Sequence, residues 1–182
     1  MKATGIVRRI DNLGRVVLPK EIRRTLRIRE GDPLEIFTGK EGEIVLKKYS
    51  PVGELSQFAK EYTEALSSVT GLSACITDRD QLVAAAGPGK KEMTGKAISR
   101  QLELALDQRV SVMSKAGDKK YVKITDEEEE PFACEIICPI LCEGDVIGGV
   151  LLMSREKSQT FGNGEMNLAE TAAQFLGKQL EQ

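Results

Sequence analysis

Two residue types in this chain recur at spacings that could do chemistry: arginine near the start and cysteine in the second half. Residues 1–29 hold nine Lys and Arg against two acids, Asp11 and Glu21. Arg8 and Arg9 precede a polar turn, Arg15 leaves it, and Arg23 and Arg24 follow a proline. A guanidinium is a planar fork that binds phosphate oxygens, or the N7/O6 edge of guanine, through two parallel hydrogen bonds. Arginines crowded in this way suit a polyanion. Cys134, Cys138 and Cys142 recur every four residues and, with Cys75, could suggest zinc. The run from Cys134 to Ile140 reads as extended, however, and four residues of strand span ~13 Å. Zn–S bonds of about 2.3 Å cannot close over that distance. No metal is expected, and the thiols read as small buried hydrophobes.

The composition narrows the field further. The 182 residues include no histidine, which removes the commonest general base, the commonest metal ligand and any histidine-dependent triad. A non-enzymatic role is expected. The net charge of -2 conceals an asymmetry: residues 1–50 hold 12 Lys and Arg against 7 acids, and the remainder hold 14 against 21. A basic head on an acidic body points to a polyanion partner for the head alone. No apolar run approaches the ~18 residues of a membrane span, and residues 1–5 show no secretory pattern. A cytoplasmic protein with reduced thiols and no membrane partner is expected.

The elements that must carry these residues fall into two groups. In the head, residues 5–10 and 16–18 read as strands around the turn Asp11-Asn12-Leu13-Gly14, Pro19 opens a short helix over 20–26, and 34–37 and 43–46 read as two further strands. Fifty residues make a marginal core, with no disulfide or metal to assist it, so oligomerisation is the remaining device. Tyr49-Ser50-Pro51 marks the boundary. The expected division is 1–50 head, 51–55 linker and 56–182 body. In the body, Leu55 to Val69 is an amphipathic helix, 74–77 and 82–85 are strands, and 95–108 is a second helix. Residues 110–113, 121–124, 133–141 and 146–153 are further strands, and Asn163 to Leu180 is a closing helix. The body is thus an α+β domain with an antiparallel sheet.

The run from Thr4 through Leu13-Gly14-Arg15 and Pro19 to Arg23-Arg24-Thr25-Leu26, continued by Gly31-Asp32-Pro33-Leu34-Glu35-Ile36 and Ile44 to Tyr49, resembles the N-terminal domain of AbrB-type transition-state regulators. The resemblance implies a swapped-hairpin, β-barrel-like dimer that binds double-stranded DNA. It implies DNA contacts at Arg8, Arg15, Arg23 and Arg24, with charge kept at Arg9 and further phosphate contacts at Lys2 and Lys20. Antitoxins share this head but carry short toxin-binding tails, unlike the long folded body here.

The body resembles a GAF domain in the turn Asp78-Arg79-Asp80, the hairpin from Glu143 to Leu151, and Phe161 ahead of the closing helix. Together, head and body are similar to AbrB-type regulators of endospore-forming bacteria that end in a GAF domain. That similarity implies a nucleoid-associated activator and repressor of late, forespore-stage sporulation genes. It also implies tetramers formed where the outer helices of two GAF domains pack. The GAF resemblance leaves open an unidentified small-molecule ligand. The Asn-Lys-Phe-Asp-Glu constellation of cyclic-nucleotide GAF domains is absent, and there is no histidine for haem. Two alternatives stand beside this reading: a low-specificity nucleoid or scaffolding protein with a purely structural GAF domain, and a cysteine-dependent sulfoxide reductase.

Overall fold

A computed structural model describes residues 5–128 and 130–181. The chain divides into two compact units, Met1–Tyr49 and Ser50–Gln182.

In the first unit, α1 (Lys20–Thr25) starts behind Pro19, which is buried. Strands β1 (Leu34–Thr38) and β2 (Ile44–Lys48) pair antiparallel, with Ile36 opposite Leu46 and Thr38 opposite Ile44. One face of this ribbon therefore carries Leu34, Ile36, Ile44 and Leu46. Residues 5–10 and 16–18, expected as strands, take no strand pairing within the single chain. A strand exists only through its ladder partner, and a two-stranded ribbon is marginal alone.

The second unit is built on a five-stranded antiparallel sheet in the spatial order Leu82–Ala86, Ser73–Thr77, Asp145–Ser154, Cys134–Cys142, Val112–Lys115. The strands are β3 (Ser73–Thr77), β4 (Leu82–Ala86), β5 (Val112–Lys115), β6 (Cys134–Cys142) and β7 (Asp145–Ser154). The sheet is covered on both faces. On one, Ala74, Ile76, Ile136, Cys138, Ile140, Val150 and Leu152 pack against Ala59 and Leu66 of α3 (Ser56–Thr70) and Ala169, Ala173 and Leu176 of α6 (Asn163–Leu180). On the other, Cys75, Ile137, Leu151 and Met153 pack against Leu102 and Leu106 of α5 (Arg100–Asp107), with Ile124 and Phe132 from the segment before β6. The helix α6 comes very close to the sheet: a Cβ at Gly177 would lie 2.1 Å from the Leu141 carbonyl oxygen, so no other residue fits there.

Three further expectations need correction. Residues 51–55 are no linker: Pro51–Glu54 form α2, capped by Ser50 Oγ, which accepts from the Gly53 amide at 3.0 Å and donates to Asp78 Oδ2 at 2.9 Å. Val52 within it is buried. The helix expected over 95–108 begins only at Arg100, because Ser99 Oγ accepts the Leu102 amide as an N-cap, and a four-residue helix, α4 (Lys90–Met93), precedes it. Residues 121–124 alternate in burial like a strand but form none. The Tyr121 amide turns back to the Asp118 carbonyl and the next three go to side chains: Val122 to Glu135 Oε1, Lys123 to Gln101 Oε1 and Ile124 to Glu128 Oε2.

Candidate nucleic-acid interface

The head's cationic residues sit on two local frames. Asp11 and Arg15 close the first: the Asp11 amide donates to the Arg15 carbonyl at 3.0 Å, and the Gly14 amide donates to the Asp11 carbonyl at 3.0 Å. Gly14 holds φ +75, a conformation that a Cβ disfavours. Arg8 and Arg9 are exposed on the arm entering this turn, and Arg15 is exposed where the chain leaves it. The second frame is α1, where Lys20 lies three and four residues before Arg23 and Arg24, on a shared side of the helix. Lys20 and Arg24 are exposed and Arg23 is half-buried. Lys2 lies outside the described residues.

Sequence reasoning passed over the groups that brace these frames. Asp32 Oδ2 accepts the Arg29 amide at 2.8 Å and pairs with Lys48 Nζ at 3.2 Å, and Lys48 Nζ also donates to the Arg27 carbonyl at 2.9 Å. These bonds tie the chain leaving α1 to β2. The signal available was an acid directly after a turn glycine, Gly31-Asp32.

Apolar exposure is the other property of this unit. Val7 is 86% exposed, Val17 73%, Ile36 67% and Ile44 67%, and no residue of α1 is buried. Such residues belong in a core, and the single chain does not provide one.

In the body, the candidate ligand cavity lies beside the sheet face that α5 covers. Its volume is about 340 Å³, and its lining includes Met93, Lys96, Ile124, Glu128, Phe132 and Arg155. Tyr121 and Glu128 hold its wall. Glu128 accepts the Tyr121 hydroxyl at 2.8 Å and the Ile124 amide at 2.9 Å, and the Tyr121 oxygen accepts the Phe132 amide at 2.8 Å. Glu135, fully buried on β6, accepts Ser114 Oγ and the Val122 amide, both at 2.7 Å. Burial pushes its carboxyl up to about 7, against the pull of those two donors.

The cysteines follow the extended reading. Cys134, Cys138 and Cys142 all lie on β6, and no metal-holding group occurs among the described residues. Cys75 and Cys138 belong to opposite faces of the sheet. Burial raises Cys75 to about 12 and Cys138 to about 11, and it also raises Cys134 and Cys142. These thiols stay protonated at neutral pH, whereas nucleophilic chemistry needs the thiolate. Among the described residues, no helix is long and apolar enough to cross a membrane.

The two units define a regulator class, in which an AbrB-like head is joined to a GAF-like body. The family model described as stage V sporulation protein T C-terminal, transcription factor, matches residues 54–181, and that of the antidote-toxin recognition MazE, bacterial antitoxin, matches residues 7–54. The stage V sporulation protein T of Bacillus subtilis (strain 168) is 54% identical over 182 residues, covering 100% of both chains. The chain belongs to the stage V sporulation protein T family of transcription factors. The transition state regulatory protein AbrB of the same organism is 63% identical over 51 residues, which are 28% of this chain and 52% of that one. A solved GAF domain from an Acinetobacter phosphoenolpyruvate-protein phosphotransferase matches with a TM-score of 0.58 at 13% identity, covering 74% of this chain and 84% of that one, and so shares the fold.

Proposed function

We propose that this transcription factor binds double-stranded DNA through a dimer of its first unit and acts as an activator and a repressor of sporulation genes in the nucleoid. The observation that carries the reading is the pairing of two properties in residues 5–49: apolar side chains left open in the single chain, and arginines concentrated on two frames. A second copy exchanging its hairpin would cover the apolar ribbon face. It would also double the array of Arg8, Arg9, Arg15, Arg23 and Arg24, with Lys2 and Lys20 as added phosphate contacts.

The body assembles dimers into tetramers. Its helical stripes are mostly spent on its own sheet through Ala59, Leu66, Ala169, Ala173 and Leu176. An outward patch is left over: Phe58, Tyr62 and Phe175 stand with ring centroids 5.8–6.0 Å apart, and Val69 and Leu168, on the same two helices, are exposed. This patch suits packing against a second body. The cavity beside Glu128 supports a second role for the body, in which a small molecule tunes the assembly.

The test is Arg23→Ala in the full chain, with sedimentation reporting the oligomer and fluorescence anisotropy reporting affinity for genomic duplexes. Binding should weaken on the order of tenfold with the oligomer intact; unchanged binding would sink the proposed contact surface. Equal affinity for all fragments, with a steep salt dependence, would favour the low-specificity scaffold instead.

A further inference from the structure

Asp11 is the acid at the centre of the head's most basic stretch, and both oxygens of its carboxylate accept hydrogen bonds. Oδ1 accepts the amides of Leu13 at 2.9 Å and Arg15 at 2.8 Å, and Oδ2 accepts Arg15 Nε at 2.8 Å. With the two backbone bonds across the turn, five hydrogen bonds fix residues 11–15 as one unit. The pair is open to solvent, with the Arg15 side chain 70% exposed and that of Asp11 38%. The Arg15 amide and guanidinium lead in holding the Asp11 carboxyl below its ordinary range, so it is charged at neutral pH.

The ion pair engages Nε alone. The two terminal nitrogens of Arg15 remain for an incoming acceptor, and they form the end of the guanidinium that grips two oxygens, or guanine N7 and O6, side by side. The carboxylate also sets a negative charge beside any phosphate that Arg15 approaches. A loosely docked phosphate, with its full charge, is repelled by it more strongly than a base edge, which carries only partial charge.

We propose that Asp11 is a positioning and specificity-determining residue of the DNA interface: it presets the Arg15 fork toward base edges and penalises non-specific phosphate contact by that arginine. The inference rests on Arg15 being a DNA contact.

The experiment uses the full-length protein as parent, Asp11→Asn, Arg15→Ala and the double variant, with sedimentation to verify the assembly. Asparagine keeps an oxygen for the Leu13 and Arg15 amides but sets an N–H donor where Oδ2 accepted Arg15 Nε, so it removes the charge and releases the guanidinium while leaving the turn bonds in place. Each protein is titrated, across a salt series, with the genomic fragment the parent retains most tightly and with a shuffled duplex of the same length and composition. Asp11→Asn should tighten binding to the shuffled duplex, steepen the salt slope by about 0.9 for each additional phosphate neutralised, and cut discrimination about tenfold. Beside Arg15→Ala these changes should vanish, since the two residues act as one unit. Arg15→Lys is a second variant that leaves the carboxylate in place; it should lose discrimination while keeping the salt slope. A parent that binds both duplexes equally overturns the proposal, as does an Asp11→Asn effect undiminished by Arg15→Ala. Arg15→Ala without effect on either duplex overturns the contact reading of Arg15 itself.

Discussion

The two units answer the same physical demand in opposite ways. The body closes a core from its own chain: Ile136, Ile137, Leu151 and Leu152 are each at most 1% exposed, with helices on one face of the sheet and α5 with the segment before β6 on the other. The head has the same kinds of side chain and leaves them open, with Ile36 and Ile44 on an uncovered ribbon face. The contrast separates two origins of stability. The body's is internal to one chain, whereas the proposed head dimer would make the head's depend on the concentration of the chain.

The largest expected effect breaks the head. Ile36→Asp places a charge in the middle of the uncovered face. Self-association through the head should fall on the order of a thousandfold, because burying an unpaired carboxylate is prohibitive. Sedimentation equilibrium checks it, and the body should keep its own unfolding transition. An oligomer unchanged in affinity would show that this face is solvent surface and would erase the contrast. Next in size, Leu151→Ala opens a hole in the body's central strand and should cost about 3 kcal/mol. Its denaturation midpoint should fall by the same amount at every protein concentration, as a core internal to one chain requires.

The same contrast decides what could be read in advance. Elements whose partners lie within the chain were legible: the closing helix runs from Asn163 to Leu180 as its apolar spacing indicated, and β3, β4, β6 and β7 fall within a residue or two of their hydrophobic runs. The arms at 5–10 and 16–18 have the right residues for strands and still form none alone, since periodicity cannot say which chain supplies the ladder. Residues 121–124 failed for another reason. Val122 and Ile124 alternate correctly, but Glu135 and Glu128 take the place of a neighbouring strand, and no pattern rule anticipates a carboxylate as a ladder partner. In the candidate interface, the arginines were visible by type and charge. The acids that hold their frames, Asp11 and Asp32, were not, because an acid in a turn looks the same whether it faces water, a guanidinium as Asp11 does, or a backbone amide and an ammonium as Asp32 does.

The smallest effect sharpens the body's side of the comparison, because that core was closed over an acid. Glu135 has a second oxygen, Oε2, that is buried and without a hydrogen-bond partner, while Oε1 takes both Ser114 and Val122. Desolvation dominates, raising the carboxyl to about 7 from its ordinary 4.5, with the Glu128 charge adding to it. The native body therefore holds a proton that the unfolded chain has released. The stabilisation from that proton is complete below the unfolded value and is lost as pH rises through about 7. Glu135→Gln keeps an acceptor for the same two donors and cannot ionise. At pH 8 the variant should be more stable than the parent, on the order of 2 kcal/mol; at pH 4.5 that advantage should disappear. Thermal unfolding of the full chain at the two pH values reads the difference in the body transition. A variant that retained the parent's slope between them would place the titration elsewhere. The body would then be indifferent to the charge at its centre.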